Sequence, residues 1–308
     1  MKLLQLPPAQ LRASLRDTGI WLRTGPFSLQ IRSRVPSVAE GLAELYGQFE
    51  VRHPRETFAD FHVEVNAPGP VRRWLRPQVD FSFDGQLPFK PLPYDQAYPM
   101  LEWGLNWCVS MHAHQYLVIH AAVVEKNGGA AILPAPPGAG KSTLTAGLVL
   151  SGWRLLSDEL ALVDRRSGMI HPLPRPVSLK NASIPLIRAF SAEAFINRPS
   201  HDTAKGTVAH MRPPKESVRR QHEPARPAWV IFPRWSAGAA TTLTPRSAAQ
   251  TFMFLAQNAF NYSQLGADGF RTGTRLIDQV ACYDFTYSEL DEAVRLFDRL
   301  ADALPGAD

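Results

Sequence analysis

The stretch AILPAPPGAGKSTLTAGLVL, residues 131–150, carries the residue types that hold a phosphate chain. Ala135, Pro136, Pro137, Gly138, Ala139, Gly140, Lys141 and Ser142 align with the Walker A pattern G-x-x-x-x-G-K-[ST], with alanine standing for its first glycine. Gly138 and Gly140 let the backbone curl so that successive amides point inward and make a nest for phosphate oxygens. Through Ser142 and Thr143 a helix begins, and its first N–H groups, lacking intrahelical partners, favour negative charge. Lys141 supplies a mobile cation for β- and γ-phosphates, and the Ser142 hydroxyl can ligate Mg²⁺. Pro136 and Pro137 remove donors but stiffen the approach to the turn. Such a turn needs a carboxylate across the phosphates to hold the metal. Asp158 and Glu159 offer one, beginning 17 residues after Lys141, which is room for one helix and a return to the sheet.

The chemistry requires a buried strand before the turn and a helix after it. LVIHAAVVEKNGGAAILPA (117–135) reads as two apolar strands around a turn at Lys126–Gly129. STLTAGLVLSG reads as a helix stopped by Gly152, and WRLLSDELALVD (153–164) as the next strand pair or hairpin. Strand, phosphate turn, helix, strand is the order of a P-loop unit. Beyond it, 176–180, 227–233 and 281–287 read as strands, 247–260 as a helix, and 288–304 as a capped amphipathic helix. The segment 198–226 is the most loop-like.

Before the core, FSLQIRS (27–33) and FHVEVNAP (61–68) alternate apolar and polar residues, as half-buried strands do. VAEGLAELYGQF (38–49) has helical spacing, and Asp84-Gly85 signals a hairpin. Residues 1–95 therefore read as a small α+β module without recognisable chemistry. The apolar, aromatic stretch 93–117 reads as a buried helix leading into the second domain, 96–308. The expected fold class is α/β.

Composition sets the outer limits. A chain of 308 residues with 45% hydrophobic and 20% charged residues is ordinary for a soluble globular protein. The two cysteines, Cys108 and Cys282, are far apart without zinc-like spacing, and a reducing, cytoplasmic setting fits them. The N-terminus does not read as a signal peptide, and no apolar run reaches the roughly 18 residues of a membrane span. A net charge of +5 permits an anionic partner without identifying one. No RNA-binding signature or basic stripe with interleaved aromatics is present, so neither nucleic acid nor a membrane is expected as partner.

Together these residues resemble the HPr kinase/phosphorylase family, and more closely the HPr-kinase-related kinase A group. The resemblance is carried by IHAAVV (119–124), APPGAGKST (135–143) and GWRLLSDELALV (152–163). It extends more loosely to LPRPVSLKN (173–181), DTAKGTVAHMRPP (202–214) and NAFNYSQLGADGF (258–270). In HPr kinases a histidine ends the strand before the P-loop and two acids end the strand after it; His120 and Asp158-Glu159 hold the matching places. What this implies is a kinase core of the phosphoenolpyruvate-carboxykinase type, using ATP and Mg²⁺ to phosphorylate a serine or other hydroxyl of a peptide or small protein. HPr kinases form oligomers, so self-association is implied too. Asp-Asp of the family is Asp158-Glu159 here, and the glycine-rich signature used in phosphorolysis is missing, so no phosphorylase activity is expected.

Phosphoryl transfer then suggests roles. Asp158 accepts the acceptor's proton, Glu159 with Ser142 holds Mg²⁺, and His120 stands near the transferred phosphate. A carboxylate beside Mg²⁺ keeps a low pKa, so Asp158 is expected to be ionised. Arg175, Lys180, Lys205 and His210 are candidate cations for the transferred phosphate and the nucleotide, and Asn261-Tyr262 can either line an acceptor pocket or pack. The basic run Lys205–Arg226 reads as a solvated loop or else as a functional segment, a lid over ATP or a docking surface for an acidic peptide. Two alternatives stay open: an ATPase acting as a switch or assembly factor without a phosphoacceptor, and a nucleotide-free module whose P-loop has degenerated at Ala135.

Overall fold

Alternating side chains build the first third of the chain. In the computed structural model, which describes residues 1–52, 58–69, 77–136 and 138–304, strand β2 (Phe27–Ser33) buries every second residue. With β1 (Ile20–Thr24), β3 (Val51–Arg52), β4 (Phe61–Asn66), β5 (Gln78–Phe83) and β6 (Leu92–Pro93) it forms a six-stranded sheet in the order β3-β1-β2-β4-β5-β6. The strands β2 and β4 run parallel, with helix α2 (Pro36–Leu45) between them in sequence. Helices α1 (Pro8–Arg16) and α2 both open on proline, whose missing N–H costs nothing at a helix start. Asp84 and Gly85 both take positive φ, as the expected hairpin turn demands.

Helix α3 (Ala97–His112) lies against this sheet. A Cβ added at Gly104 would stand 2.1 Å from the Phe81 ring, so only glycine permits the approach. Leu101, Leu105 and Cys108 belong to the N-terminal core, which also takes in Tyr116, Leu160 and Leu173. The helix expected to lead into the second unit thus packs into the first, and the N-terminal core runs past residue 95.

The second unit is organised around β7 (Tyr116–Lys126). Its neighbours are β8 (Gly129–Pro134), β9 (Arg154–Ser157), β10 (Leu160–Asp164) and β11 (Ile170–His171). The sheet runs β11-β10-β7-β8-β15-β17-β16, with β9 also paired to β7; β15 is Arg226–Trp235, β16 Thr242–Pro245 and β17 Ala281–Tyr287. Strands β8, β15 and β17 are mutually parallel, while β7 meets β8, β9 and β10 antiparallel. Both faces are covered, which explains the continuous apolar runs in the sequence. Ala122 and Val124 of β7 face α4 (Lys141–Leu150) and α10 (Leu290–Asp302). Ile119, Ala121 and Val123 face α7 (Ala248–Asn258) and α9 (Ala267–Asp278), joined by the short α8 (Tyr262–Leu265).

A third, three-stranded sheet of β12 (Val177–Lys180), β14 (Gly206–Met211) and β13 (Ser200–Thr203) stands beside the core. Helix α5 (Ser183–Phe190) follows β12, and α6 (Lys215–Arg219) follows β14. The segment 198–226 is therefore largely structured rather than loop-like. The architecture is mixed α/β. Among the described residues no helix is long and apolar enough to cross a membrane.

Candidate active site

Strand register brings the motif residues to one point on β7. Ala121 pairs with Pro134, the last residue of β8, so the phosphate turn leaves the sheet beside His120. Ser157 of β9 pairs with Val123, and Leu160 of β10 pairs with His120. Asp158 and Glu159 bridge those two strands, and the Glu159 carbonyl accepts a hydrogen bond from the Ala121 amide at 3.1 Å. Segments separated by whole helices in sequence thus converge through ladder geometry.

The turn has the expected backbone. Gly138 and Gly140 both have φ of 87°, a conformation glycine adopts freely. The Ala139 carbonyl accepts from the Trp235 amide at 3.0 Å, and the Gly140 carbonyl accepts from the Tyr287 hydroxyl at 3.1 Å. The loop is therefore anchored from β15 and β17. Gly140 precedes α4, whose first amides at Lys141, Ser142 and Thr143 have no intrahelical acceptor. Ala135, in place of the pattern's first glycine, is buried at the end of β8, and Pro136 is exposed. Pro137 lies outside the described residues. A Cβ at Gly140 would stand 2.7 Å from Tyr287 Oη and 2.9 Å from Trp235 Cβ. Gly140→Ala is expected to lose about 2 kcal/mol of stability, from the left-handed backbone and this crowding together. A urea midpoint unchanged by the substitution would show that the turn does not need its glycine.

Side chains converge over the turn. Ser142 Oγ donates to Asp158 Oδ2 at 3.3 Å, and the Ser178 amide donates to the same oxygen at 3.0 Å. His120 Nε2 lies 3.2 Å from Glu159 Oε2 and 3.4 Å from Lys141 Nζ. One ring nitrogen cannot both donate to the carboxylate and accept from the ammonium. His120 therefore serves Glu159 in one tautomer and Lys141 in the other. The Ser142 hydroxyl meets Asp158, and Glu159 turns to His120.

The two acids differ in charge state. Burial pushes the Asp158 pKa up to about 6, with the charge of Glu159 adding to it and Lys141 opposing. Burial acts on Glu159 as well, but the hydrogen bond to His120 and the charges of Lys141 and Lys180 outweigh it and hold this carboxyl well below the usual range. The low pKa expected for Asp158 presupposes a neighbouring Mg²⁺, whose charge is no part of this balance. Nothing in the sequence pointed to the Ser178 amide, which fixes the Asp158 carboxylate from β12.

Among the described residues, no cluster of three or more acid, histidine or cysteine side chains forms a ready-made metal site. Mg²⁺ takes one or two carboxylates and completes its shell with water and phosphate. Asp158 Oδ1 is buried without a hydrogen-bond partner. The oxygen donors Ser142, Asp158 and Glu159 fit the ion by chemistry.

The expected cations separate into three environments. Lys180 ends β12, and its charge reaches both acids. Lys205 sits in the β13–β14 turn with Nζ 5.3 Å from the centroid of the Trp103 ring. Partial desolvation there, with Lys180 and Lys141 nearby, lowers its pKa against the pull of Glu159. Arg175 is 6% exposed and its Nη2 is committed to Glu102, at 3.1 Å from Oε2 and 3.0 Å from the backbone carbonyl. Glu102 Oε1 in turn accepts from the hydroxyls of Tyr46 and Tyr98 at 2.8 and 2.7 Å. Arg175 is thus a tie between the two units rather than a free phosphate ligand. Arg175→Ala leaves a carboxylate buried without its cation, and a loss of about 3–5 kcal/mol is expected in denaturant unfolding. Joint replacement of Glu102 and Arg175 by apolar residues is expected to restore much of it.

Other expectations change similarly. Asn261 is buried, accepts from the Val118 amide at 3.0 Å and donates to the Tyr116 carbonyl at 2.8 Å, so it pins the α7–α8 connection to β7. Tyr262 packs with Phe252. In the basic run, Arg219 pairs with Glu216 and Arg220 with Glu223. Arg212 lies over the Phe195 ring and donates to the Glu44 carbonyl.

No family model matches the chain, and no curated protein matches it. Among solved structures it is similar to the HPr(Ser) kinase/phosphatase from Coxiella burnetii, at 11% identity and a TM-score of 0.27, over 59% of this chain and 96% of that one. At that score the likeness is distant, and the chemistry of this chain rests on the phosphate turn and the two acids beside it.

Proposed function

We propose that the protein is an ATP- and Mg²⁺-dependent phosphotransferase that moves the γ-phosphate to a hydroxyl. The observation that carries this reading is the meeting of Lys141, Ser142, His120, Asp158 and Glu159 at the mouth of a glycine turn with two left-handed residues. The amides of the turn and Lys141 bind the phosphates. Ser142 and the two acids would hold Mg²⁺, which would neutralise charge on the phosphate oxygens. Asp158 takes the acceptor's proton: its buried Oδ1 has no partner among the described residues and is open to a hydroxyl. Glu159 stays anionic and keeps His120 oriented. Once Lys141 turns to the phosphates, His120 is free to donate to Glu159.

A carboxylate beside the turn can serve a hydroxyl acceptor or an attacking water, so the fate of the γ-phosphate separates transfer from hydrolysis. Incubation with γ-labelled ATP and Mg²⁺ in a host lysate tests it. Label is expected on an acceptor. Release of all label as free phosphate would favour the ATPase reading, and absence of saturable Mg-ATP binding would remove both. Trp235 stands 50% exposed with its indole nitrogen donating to the Ser288 carbonyl at 3.0 Å, beside Gly140. Occupancy of the turn is therefore expected to change tryptophan emission, and Trp235→Phe to remove that change.

A further inference from the structure

Behind the two acids lies a cleft that the phosphate turn does not use. Helix α3 supplies one wall with Glu102, Trp103 and Asn106, while Asp158, Arg175, Ser178 and His210 supply the other. With its open mouth it encloses about 370 Å³, of which only about 20 Å³ admits the centre of a water molecule, so any guest must be small. Eight buried side-chain N or O atoms have no hydrogen-bond partner among the described residues. Four of them belong to residues of this one cleft: Asp158 Oδ1, Arg175 Nε, Ser178 Oγ and His210 Nε2. Those residues are 4%, 6%, 8% and 1% exposed. Buried polar groups are rarely left unsatisfied, so their concentration in one place points to a missing polar occupant.

The orphaned atoms describe that occupant. Asp158 Oδ1 requires a donor, such as a hydroxyl. Arg175 Nε–H requires an acceptor and carries positive charge. Ser178 Oγ can serve either way. His210 is neutral at pH 7, since burial pushes its pKa down to about 4, so its Nε2 engages a neutral or anionic polar atom without adding charge. At the rim, Lys205 lies over Trp103 and adds a second cation. An occupant that meets all four must lie among groups that are each more than nine-tenths buried, which favours a small molecule over a folded protein surface. Water alone can also fill a polar void.

We infer that this cleft is the phosphoacceptor site and that it takes a small hydroxy-carboxylate, with its hydroxyl at Asp158 and its carboxylate toward Arg175. The inference rests on the kinase reading and narrows its acceptor from a peptide or small protein to a small molecule. In the step, the acceptor oxygen bonds to the γ-phosphorus as the bond from that phosphorus to the β,γ-bridging oxygen breaks. The hydroxyl proton passes to Asp158, and the nucleoside diphosphate leaves with the bonding pair.

The test uses the full chain with γ-labelled Mg-ATP and, separately, L-serine, L-threonine, D-glycerate and L-lactate, with dephosphorylated casein and host lysate as macromolecular arms. Saturable transfer to at least one hydroxy acid is expected, together with binding of that acid in calorimetry beside a non-hydrolysable ATP analogue. Ser178→Ala is expected to raise the KM of that acid at least tenfold while the nucleotide dissociation constant stays within twofold. Because the Ser178 hydroxyl has no partner, its melting temperature is not expected to fall. Label found only in casein or a lysate protein, or an unchanged KM in Ser178→Ala, overturns the inference while leaving the kinase reading intact. Label appearing only as free phosphate in every arm overturns both.

Discussion

Lys141→Ala is expected to lower γ-phosphate transfer by about 10³-fold, a cost of about 4 kcal/mol in the transition state. The lysine is 9% exposed, with its ammonium 3.4 Å from His120 Nε2 at the turn's opening. Charge on the phosphate oxygens grows as the bond to the leaving group loosens, and a buried ammonium answers it without a solvent shell to rearrange. Among the described residues no neighbouring cation is placed to substitute. Arg175 is committed to Glu102, and Lys180 and Lys205 approach from the β12–β14 side. Nucleotide affinity is expected to drop less, by about tenfold or 1.4 kcal/mol, since the amides of the turn remain. Single-turnover transfer of label, run beside a Mg-ATP titration, separates the two effects. Wild-type turnover in this variant would remove the phosphate turn from the chemistry.

The site was legible where local backbone demands chose the residues. A turn that needs left-handed residues selects Gly138 and Gly140, and a strand buried on both faces selects the runs around His120 and Leu155. These signals are contained in windows of a dozen residues, so a single sequence shows them. What stayed hidden depends on partners distant along the chain. The tie from Arg175 reaches Glu102, Tyr46 and Tyr98, which belong to the other unit. A guanidinium near a phosphate turn looks the same in sequence whether it is free or paired. Likewise α3 is apolar around most of its surface, so its pattern could not show which core it joins. The β13–β14 hairpin was missed because SHDT and the Lys205-Gly206 turn are polar and short, and the pairing lies in the backbone. Ser178 carries no motif at all, and His210 was a candidate cation rather than a buried neutral group; their missing hydrogen bonds single out both.

Asp158→Asn and Glu159→Gln are expected to fail differently, because the two acids are adjacent in sequence but occupy different electrostatic sites. An asparagine at 158 can keep its carbonyl oxygen where Ser142 Oγ and the Ser178 amide now donate. Its amide nitrogen then replaces Oδ1 and cannot accept a proton. Transfer is expected to fall by about 10²–10⁴-fold with nucleotide affinity held within about tenfold, the signature of a lost general base. The pH dependence has a definite sign. Protonated Asp158 cannot accept a proton, so wild-type kcat/KM falls as pH drops through about 6, and that limb disappears in Asp158→Asn. Glu159→Gln instead removes an anion that faces His120 and feels Lys141 and Lys180. The Mg²⁺ concentration for half-maximal transfer is expected to rise about tenfold, roughly 1.4 kcal/mol. At saturating Mg²⁺ this variant should retain the acidic limb and more activity than Asp158→Asn. Transfer measured across pH and Mg²⁺ concentration decides between the two acids. If Asp158→Asn transfers normally while Glu159→Gln is inactive and loses the limb, then the proton acceptor is Glu159, working with His120, and Asp158 serves only Ser142 and the metal.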